Sequence, residues 1–330
     1  MPQLIPPDEM IEHLRRGRRI ALTTHARADG DALACLLAMA RVLRHDDRVV
    51  TALLHEPVAS RYAFVPDAAR IEFWNPAKSG AILGQVDTLL IVDTCAASQM
   101  GQVADLIRGF GGRRLAIDHH VTRDDIVEAA LVDETAGACA VLIGELIDAA
   151  GWPLDADTAT LLYTGMATDT GWFRFSNADR RVYESAARMI SAGARPNELY
   201  EKLYLAEPEP RARLMGAVLS SFELHAEGRV AVIRVSQALL DRCRATREMT
   251  EDLINEPQRL GSVVACAMIV EPHGDDPVRI SLRSKRGVDV SRIAAGWGGG
   301  GHARAAGARR FGRFETIADE VTEALVSALP

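Results

Sequence analysis

Short apolar runs alternate with amphipathic helical patterns through the first half of the chain. Runs that are apolar at nearly every position predict buried strands, and apolar residues spaced three or four apart predict helices. The predicted strands are 19–24, 48–54, 86–93, 113–118 and 126–132. The predicted helices are 31–44, 136–150, 157–168, 179–193 and 196–205. Fully apolar strands separated by helices predict an α/β fold, with a mostly parallel sheet flanked by helices.

The second half of the chain predicts a smaller α/β domain. The pattern indicates a long helix over 211–225, strands over 229–235, 263–270 and 278–283, a glycine run over 298–301 and a final helix over 316–325. The segment 206–211, Ala-Glu-Pro-Glu-Pro-Arg, is charged and rich in proline, as is typical of a boundary. We predict one domain over residues 1–195, a helical linker over 196–215 and a second domain over 216–330.

Length, charge and cysteine usage narrow the class of protein. A chain of 330 residues exceeds one compact core, which favours two domains. A net charge of −7 argues against stable binding of duplex nucleic acid, which needs a basic face. The cysteines are odd in number and form no Cys-x-x-Cys pair. With no apolar leader and no apolar run of membrane-spanning length, the sequence predicts a cytoplasmic protein without membrane partners.

Acidic and histidine residues follow three of the predicted strands. His25, Asp29 and Asp31 come after the first strand, Asp93 ends another, and the tripeptide 118–120, Asp-His-His, ends a third. Parallel sheets carry their functional groups at the carboxyl ends of the strands, so we expect these side chains to meet. Asp169 ends a predicted helix, where the helix dipole disfavours an acid unless a cation is present.

These residues predict a metal site. The set comprises His25, Asp29, Asp31, Asp93, His119 and Asp169. A mixture of imidazole and carboxylate suits Mn²⁺, whereas a structural zinc site favours cysteine. Six ligands are too many for one small ion but suit two ions that share a carboxylate and clamp a phosphoryl group. A simpler interpretation stays open for Asp29 and Asp31, because an aspartate before a helix often only caps it.

The chain resembles the DHH phosphoesterase family, which is named for the tripeptide Asp118-His119-His120. The His-x₃-Asp-x-Asp, single Asp, Asp-His-His and Thr-Asp-Thr-Gly motifs occur in the family's order, and the second half resembles the DHH-associated domain. The resemblance implies that His25, Asp29 and Asp93 hold one Mn²⁺, and that Asp31, His119 and Asp169 hold another with Asp93 as the bridge. It also implies that His120 lies beside the scissile phosphate. Asp93 and Asp118 complete the predicted catalytic set, with Asp118 expected to orient an imidazole. Two departures from the family pattern, Ala28 for proline and Cys35 for serine, supply no ligand.

A substrate clamp is predicted in the second domain. Its residues are Arg283, Ser284, Gly299, Gly300, Gly301 and His302. Backbone N–H groups of a glycine run can cradle an anion, and an arginine can bind phosphate through two hydrogen bonds. Four consecutive glycines could instead form only a flexible loop. The expected active-site cleft lies between the two domains.

The resemblance is strongest to the short bacterial oligoribonucleases of nanoRNase type that also dephosphorylate pAp. It implies a two-metal phosphodiesterase that cuts short single-stranded oligoribonucleotides to 5′-mononucleotides, with Mn²⁺ as cofactor and Mg²⁺ as an alternative. Three other functions stay open: hydrolysis of cyclic or linear dinucleotides, exonuclease action on long single strands as in RecJ, and nucleotide binding without catalysis. An aromatic content of 5% argues against long stacking platforms for single strands. The sequence leaves the oligomeric state open, a homodimer included.

Overall fold

The computed structural model describes residues 1–45, 47–75, 78–285 and 287–330, with His302 described by its backbone alone. It divides into two compact units, Met1–Ala206 and Glu207–Pro330. Each unit has its own sheet and its own hydrophobic core.

The first unit is built on a seven-stranded sheet. Its strands are β1 (Gln3–Leu4), β2 (Arg19–Thr23), β3 (Val49–Leu54), β4 (Glu72–Phe73), β5 (Thr88–Val92), β6 (Arg113–Asp118) and β7 (Ala129–Val132). Their order across the sheet is β1-β7-β6-β5-β2-β3-β4, and every pairing is parallel. The predicted α/β class with a parallel sheet is confirmed.

Helices cover both faces of this sheet. They are α1 (Pro7–Arg16), α2 (Gly30–Arg44), α3 (Ser79–Leu83), α4 (Ala104–Arg108), α5 (Cys139–Ala150), α6 (Ala156–Asp169), α7 (Arg180–Ser191) and α8 (Pro196–Tyr204). Alternate residues of each strand enter different cores: Leu90 and Val92 join the core under α2, while Leu89 and Ile91 join the core of the opposite face. This two-sided burial explains why the strands are apolar throughout.

The order of the strands locates the functional edge. From β2 the chain moves outward through β3 and β4, then returns to the other side of β2 to form β5, β6 and β7. The sheet therefore has a topological switch point between β2 and β5, and ligands of such sheets bind beyond the carboxyl ends of the strands there. The three strand-end clusters follow β2, β5 and β6, which are neighbours.

The second unit contains a six-stranded mixed sheet. Its strands are β8 (Glu223–His225), β9 (Val230–Val235), β10 (Ala265–Val270), β11 (Val278–Ser284), β12 (Gly300–His302) and β13 (Ala305–Arg310), in the order β12-β13-β11-β10-β9-β8. Its helices are α9 (Glu209–Ser221), α10 (Gln237–Cys243), α11 (Val290–Ala295) and α12 (Phe314–Ser327). Residues of α11 and α12 pack on one face of the sheet, and residues of α9 and α10 pack on the other.

The structure differs from the sequence expectation in two places of the second unit. The helix expected over 211–225 ends at Ser221, and the following residues form strand β8, which pairs with β9. No strand was predicted at the glycine run, yet Gly300 and Gly301 lie in β12 and pair with Gly307 and Ala306 of β13. In both places backbone pairing with a distant strand overrides the local pattern.

Among the described residues, no helix combines the length and apolar character needed to cross a bilayer.

Candidate metal centre

The six side chains singled out in the sequence lie together in the first unit. His25, Asp29 and Asp31 follow β2, Asp93 follows β5, and His119 follows β6. The sixth, Asp169, is the last residue of α6. The parallel sheet brings the strand ends to one edge, and α6 delivers its carboxyl terminus to the same place.

Their ligand atoms fall into two groups, and a third group, formed by Asp93, His119 and His120, overlaps both. In the first group, His25, Asp29 and Asp93 have ligand atoms within 4.8 Å of one another. In the second, the ligand atoms of Asp31, His119 and Asp169 meet the same limit. Asp93 faces both: its Oδ2 lies 3.6 Å from Nε2 of His25, and its Oδ1 lies 3.5 Å from Nε2 of His119.

Asp93 occupies an unusual backbone conformation. Its φ angle is 61°, in the left-handed region that non-glycine residues rarely adopt. The side chain is 2% exposed, and no hydrogen-bond partner for its Oδ1 is found among the described residues. Strained residues with unsatisfied buried oxygens are concentrated at functional sites.

The orientation of the imidazoles tests whether a cation fits. Nδ1 of His119 lies 3.0 Å from the backbone oxygen of Ala136, and because a carbonyl only accepts, Nδ1 carries the proton. The lone pair on Nε2 therefore faces the oxygens of Asp93 and Asp169, at 3.5 and 3.9 Å. Lone pairs that face one another at these distances form no hydrogen bond but can share a cation. The donor set fits divalent metal ions.

Burial and like charge act together on the acids of this cluster. Burial, reinforced by the charge of Asp29, raises the pKa of Asp31 to about 7. Burial, reinforced by the charge of Asp31, raises the pKa of Asp169 to about 7 and that of Asp93 well above its ordinary range. Burial lowers the pKa of His25, which favours its neutral, ligating form. A cation at this position would relieve the repulsion among the carboxylates.

Two of the acids also cap helices. Oδ1 of Asp29 accepts from the N–H groups of Asp31 and Ala32 at the start of α2. The carboxylate of Asp31 accepts from the N–H groups of Cys139 (2.6 Å) and Ala140 (3.1 Å) at the start of α5. The N-cap residue of α5 is an alanine, so Asp31 supplies from α2 the cap that α5 lacks. The capping interpretation left open by the sequence is thus part of the structure, and these acids still face the cluster.

A third histidine, His120, is held beside the cluster by a buried acid. Oδ1 of Asp118 accepts from Nδ1 of His120 at 2.8 Å and from the backbone N–H groups of His119 and His120. Burial alone would lower the pKa of His120, but the hydrogen bond and charge of Asp118 outweigh it and raise that pKa. Nδ1 of His120 lies 3.9 Å from Oδ1 of Asp93. The hydrogen bond and charge of Asp118 therefore favour the cationic form of His120 beside the ligand groups.

Comparison with known proteins assigns the family. Residues 19–166 match the DHH family, N-terminal domain, and residues 238–327 match the DHHA1 domain. The chain is 31% identical over 315 residues to the bifunctional oligoribonuclease and PAP phosphatase NrnA of Thermus thermophilus, covering 94% of this chain and 91% of that protein. This chain belongs to the DHH family. It is also 26% identical to the bifunctional oligoribonuclease and PAP phosphatase NrnA of Bacillus subtilis, over 91% of this chain and 92% of that one.

The fold of this DHH-family chain is shared with a solved structure. The crystal structure of an exopolyphosphatase-related protein from Bacteroides fragilis superposes with a TM-score of 0.92 at 24% identity, over 97% of this chain and 95% of the other. The likeness establishes a common fold.

The residues expected to clamp substrate lie in the DHHA1 part of the chain. Arg283 is on β11, and its side chain lies on the face opposite the buried Leu282. Burial lowers the pKa of Arg283, and the charge of Asp252 acts in the opposite direction. Ser284 is 5% exposed, and its hydroxyl lies within hydrogen-bond reach of two backbone oxygens, those of Val288 and Ala303. That placement favours a supporting role for Ser284 over the direct substrate contact suggested by the sequence.

The glycine run is shaped in part by the sheet. A Cβ on Gly299 would collide with the backbone oxygen of Gly307, and one on Gly301 would lie 2.5 Å from that of Ala305. Gly300 faces open space among the described residues. Close packing against β13 therefore explains two of these glycines without a ligand. The side chain of His302 lies outside the described part of the chain.

Sequence patterns did not reveal several groups that hold the DHH site together. The backbone oxygen of Ala136 orients His119, and the first N–H groups of α5 hold Asp31. The side-chain amide of Asn177 contacts Asp169. The position of a backbone group cannot be read from residue types. Nothing in the sequence marked Asn177 except that it follows Asp169 by eight residues.

Proposed function

We propose that this protein is a metal-dependent phosphoesterase that cuts short oligoribonucleotides to 5′-mononucleotides and removes the 3′-phosphate of pAp. The proposal rests on one observation: imidazole nitrogens and carboxylate oxygens converge around Asp93 with their lone pairs facing one another. Two relatives that match this chain over most of their length support the proposed substrates, because they are named bifunctional oligoribonucleases and PAP phosphatases.

The ligand groups divide between two ions. His25, Asp29 and Asp93 would hold one, and Asp31, Asp93, His119 and Asp169 would hold the other, with Asp93 shared. Mn²⁺ is proposed, with Mg²⁺ as a weaker alternative, because imidazole ligands suit Mn²⁺ better. When bound, such ions stabilise the charge of a transferring phosphoryl group and lower the pKa of water.

The protein's own residues supply the rest of the chemistry. Asp118 accepts a hydrogen bond from Nδ1 of His120 and raises the pKa of the ring, which favours the imidazolium form with a proton on Nε2 as well. That cation can stabilise charge on a phosphoryl oxygen or donate to the departing oxygen. Asp118 accepts from the ring and from two backbone N–H groups, which fixes the ring's orientation. Asp118 is therefore a positioning residue.

Recognition of a terminal phosphate is proposed for the DHHA1 part of the chain. Arg283 is the main candidate, since its guanidinium can bind phosphate through two hydrogen bonds. The N–H groups of Gly300 and its neighbours are proposed to contribute alongside His302. A clamp that reads a terminal phosphate would favour short substrates over long ones, which distinguishes this function from exonuclease action on long strands.

A substrate panel tests the proposal. A labelled RNA dinucleotide, an RNA 24-mer, pAp and a cyclic dinucleotide would be incubated with metal-free protein to which Mn²⁺ or Mg²⁺ is returned. We expect hydrolysis of the dinucleotide and pAp, strongest with Mn²⁺, and little of the 24-mer. Preference for the 24-mer or the cyclic dinucleotide would refute the substrate assignment, and full activity in a chelator would refute the metal dependence.

A further inference from the structure

The segment that joins β7 to α5 contacts two of the proposed metal ligands directly. The backbone oxygen of Ala136 accepts from Nδ1 of His119 at 3.0 Å. Three residues later, the N–H groups of Cys139 and Ala140 donate to the carboxylate of Asp31. One short stretch of backbone thus sets the orientation of both an imidazole and a carboxylate of the second ligand group.

Asn177 connects the third ligand of that group to the same segment. Its Nδ2 donates to the backbone oxygen of Gly137 at 2.9 Å. The same nitrogen lies 3.3 Å from the backbone oxygen of Asp169 and 3.5 Å from its Oδ2. A primary amide has two protons, so one can serve Gly137 while the other serves Asp169. The amide links the end of α6 to the start of α5.

The backbone around this link is tightly packed. Gly137 is buried, and a Cβ there would collide with the backbone oxygen of Asn177 and lie 2.5 Å from Cγ2 of Val182. The backbone of Asn177 therefore lies directly against Gly137. This close approach places the Asn177 side chain within reach of both Gly137 and Asp169.

An unusual turn carries the chain from Asp169 to Asn177. Gly171, Trp172 and Phe173 have φ angles of 58°, 58° and 60°, three consecutive residues in the left-handed region. For each residue with a side chain this conformation costs roughly 1–2 kcal/mol. Contacts of the Trp172 ring with Tyr200 and Tyr204, at centroid distances of 5.1 and 5.5 Å, help to hold the turn. This strained turn reverses the direction of the chain after Asp169, so that the amide of Asn177 can contact Asp169.

We propose that Asn177 is a positioning residue for the ligand group Asp31, His119 and Asp169. It ties Asp169 to the segment that already orients the other two members. His25 and Asp29, the members of the first group that follow β2, form no hydrogen bond with this segment among the described residues. The proposal rests on the proposed metal binding, and it predicts an effect on one ion position and not on both.

Metal binding by variants of the full-length protein tests this. Mn²⁺ would be titrated into metal-free wild type, Asn177→Ala and Asn177→Ser, with the bound ion counted by calorimetry and electron paramagnetic resonance. Asn197→Ala (N197A) is the matched control, because Asn197 is an exposed asparagine of α8 in the same unit. Loss of a group that orients a metal ligand typically weakens binding 10- to 100-fold. We expect that loss for one of two Mn²⁺ ions in N177A, a smaller loss in N177S, and no change in N197A.

The outcomes separate this proposal from the proposed function. Unchanged affinity for both ions in N177A would overturn the role of Asn177, and so would an equal loss at both ions, which would indicate a general structural defect. If N177A does not fold, N177S carries the same comparison. Wild-type protein that binds two ions but hydrolyses none of the substrates would refute the proposed function and leave the positioning role standing. Wild-type protein that binds no ion would overturn both.

Discussion

Replacing Asp169 by asparagine should stabilise the metal-free protein while weakening its metal binding. Burial and the charge of Asp31 raise the pKa of Asp169 from 3.8 to about 7. At 1.36 kcal/mol per pH unit, ionising this carboxylate in the folded state costs at most about 4 kcal/mol. The side chain is 28% exposed and shares its repulsion with Asp31, so we expect Asp169→Asn to recover about half of that ceiling, ~2 kcal/mol.

The stabilisation expected from Asp169→Asn increases with pH. The folded-state pKa lies above the unfolded value, so ionisation costs stability as the pH rises from 3.8 to about 7. The gain from Asp169→Asn should be complete at pH 8, less than half as large at pH 5, and small near pH 4. A gain of that size at pH 8 corresponds to a rise in Tm of roughly 4–8 °C for a unit of this length.

Thermal unfolding in a chelator, followed by circular dichroism at pH 8 and pH 5, measures the effect. Asp105→Asn is the control, because the Asp105 side chain is 95% exposed on α4 and its removal should leave Tm nearly unchanged. Adding Mn²⁺ should then stabilise the wild type more than Asp169→Asn, since binding to the folded state raises stability. A variant that melts at or below the wild type at pH 8, or gains equally at both pH values, would refute the electrostatic reasoning.

Three further substitutions test other parts of the site. Asp118→Asn should lower the pKa of His120, so the loss of hydrolysis as pH rises should move to lower pH; an unchanged pH–rate profile would argue against a cationic His120. Gly137→Ala should cost about 1–3 kcal/mol, because its Cβ would collide with Asn177; denaturant unfolding measures this, and a neutral result would contradict the close packing. Arg283→Ala should raise KM for pAp about tenfold with kcat within about twofold, and a loss confined to kcat would contradict a binding role.

Much of the first unit could be predicted because its strands are buried on both faces. The uninterrupted apolar runs identified β2, β3, β5 and β6 to within a few residues. Parallel strands present their carboxyl ends at one edge, so the expectation that Asp93 would meet His25 and His119 did not require the strand order. The order itself, with its switch between β2 and β5, has no local signal and needed the structure.

The parts that escaped prediction depend on contacts between distant residues. Glu223–His225 continues a helical pattern, yet it pairs with β9 because an edge of the second sheet is available to it. Asp31 resembles a cap for its own helix, but it caps α5 across the core. The left-handed conformation of Trp172 and Phe173 could not be anticipated, since bulky residues rarely adopt it. Asn177 therefore looked like an ordinary loop residue.

Locating the ions directly would test the central claim that two cations share Asp93. Crystals of the protein soaked in Mn²⁺ would be measured for anomalous scattering at the manganese edge. The account predicts two peaks, one bonded to Nε2 of His25 and one to Nε2 of His119, with a different oxygen of Asp93 directed at each. A single peak, peaks remote from these side chains, or no peak at saturating Mn²⁺ would contradict it.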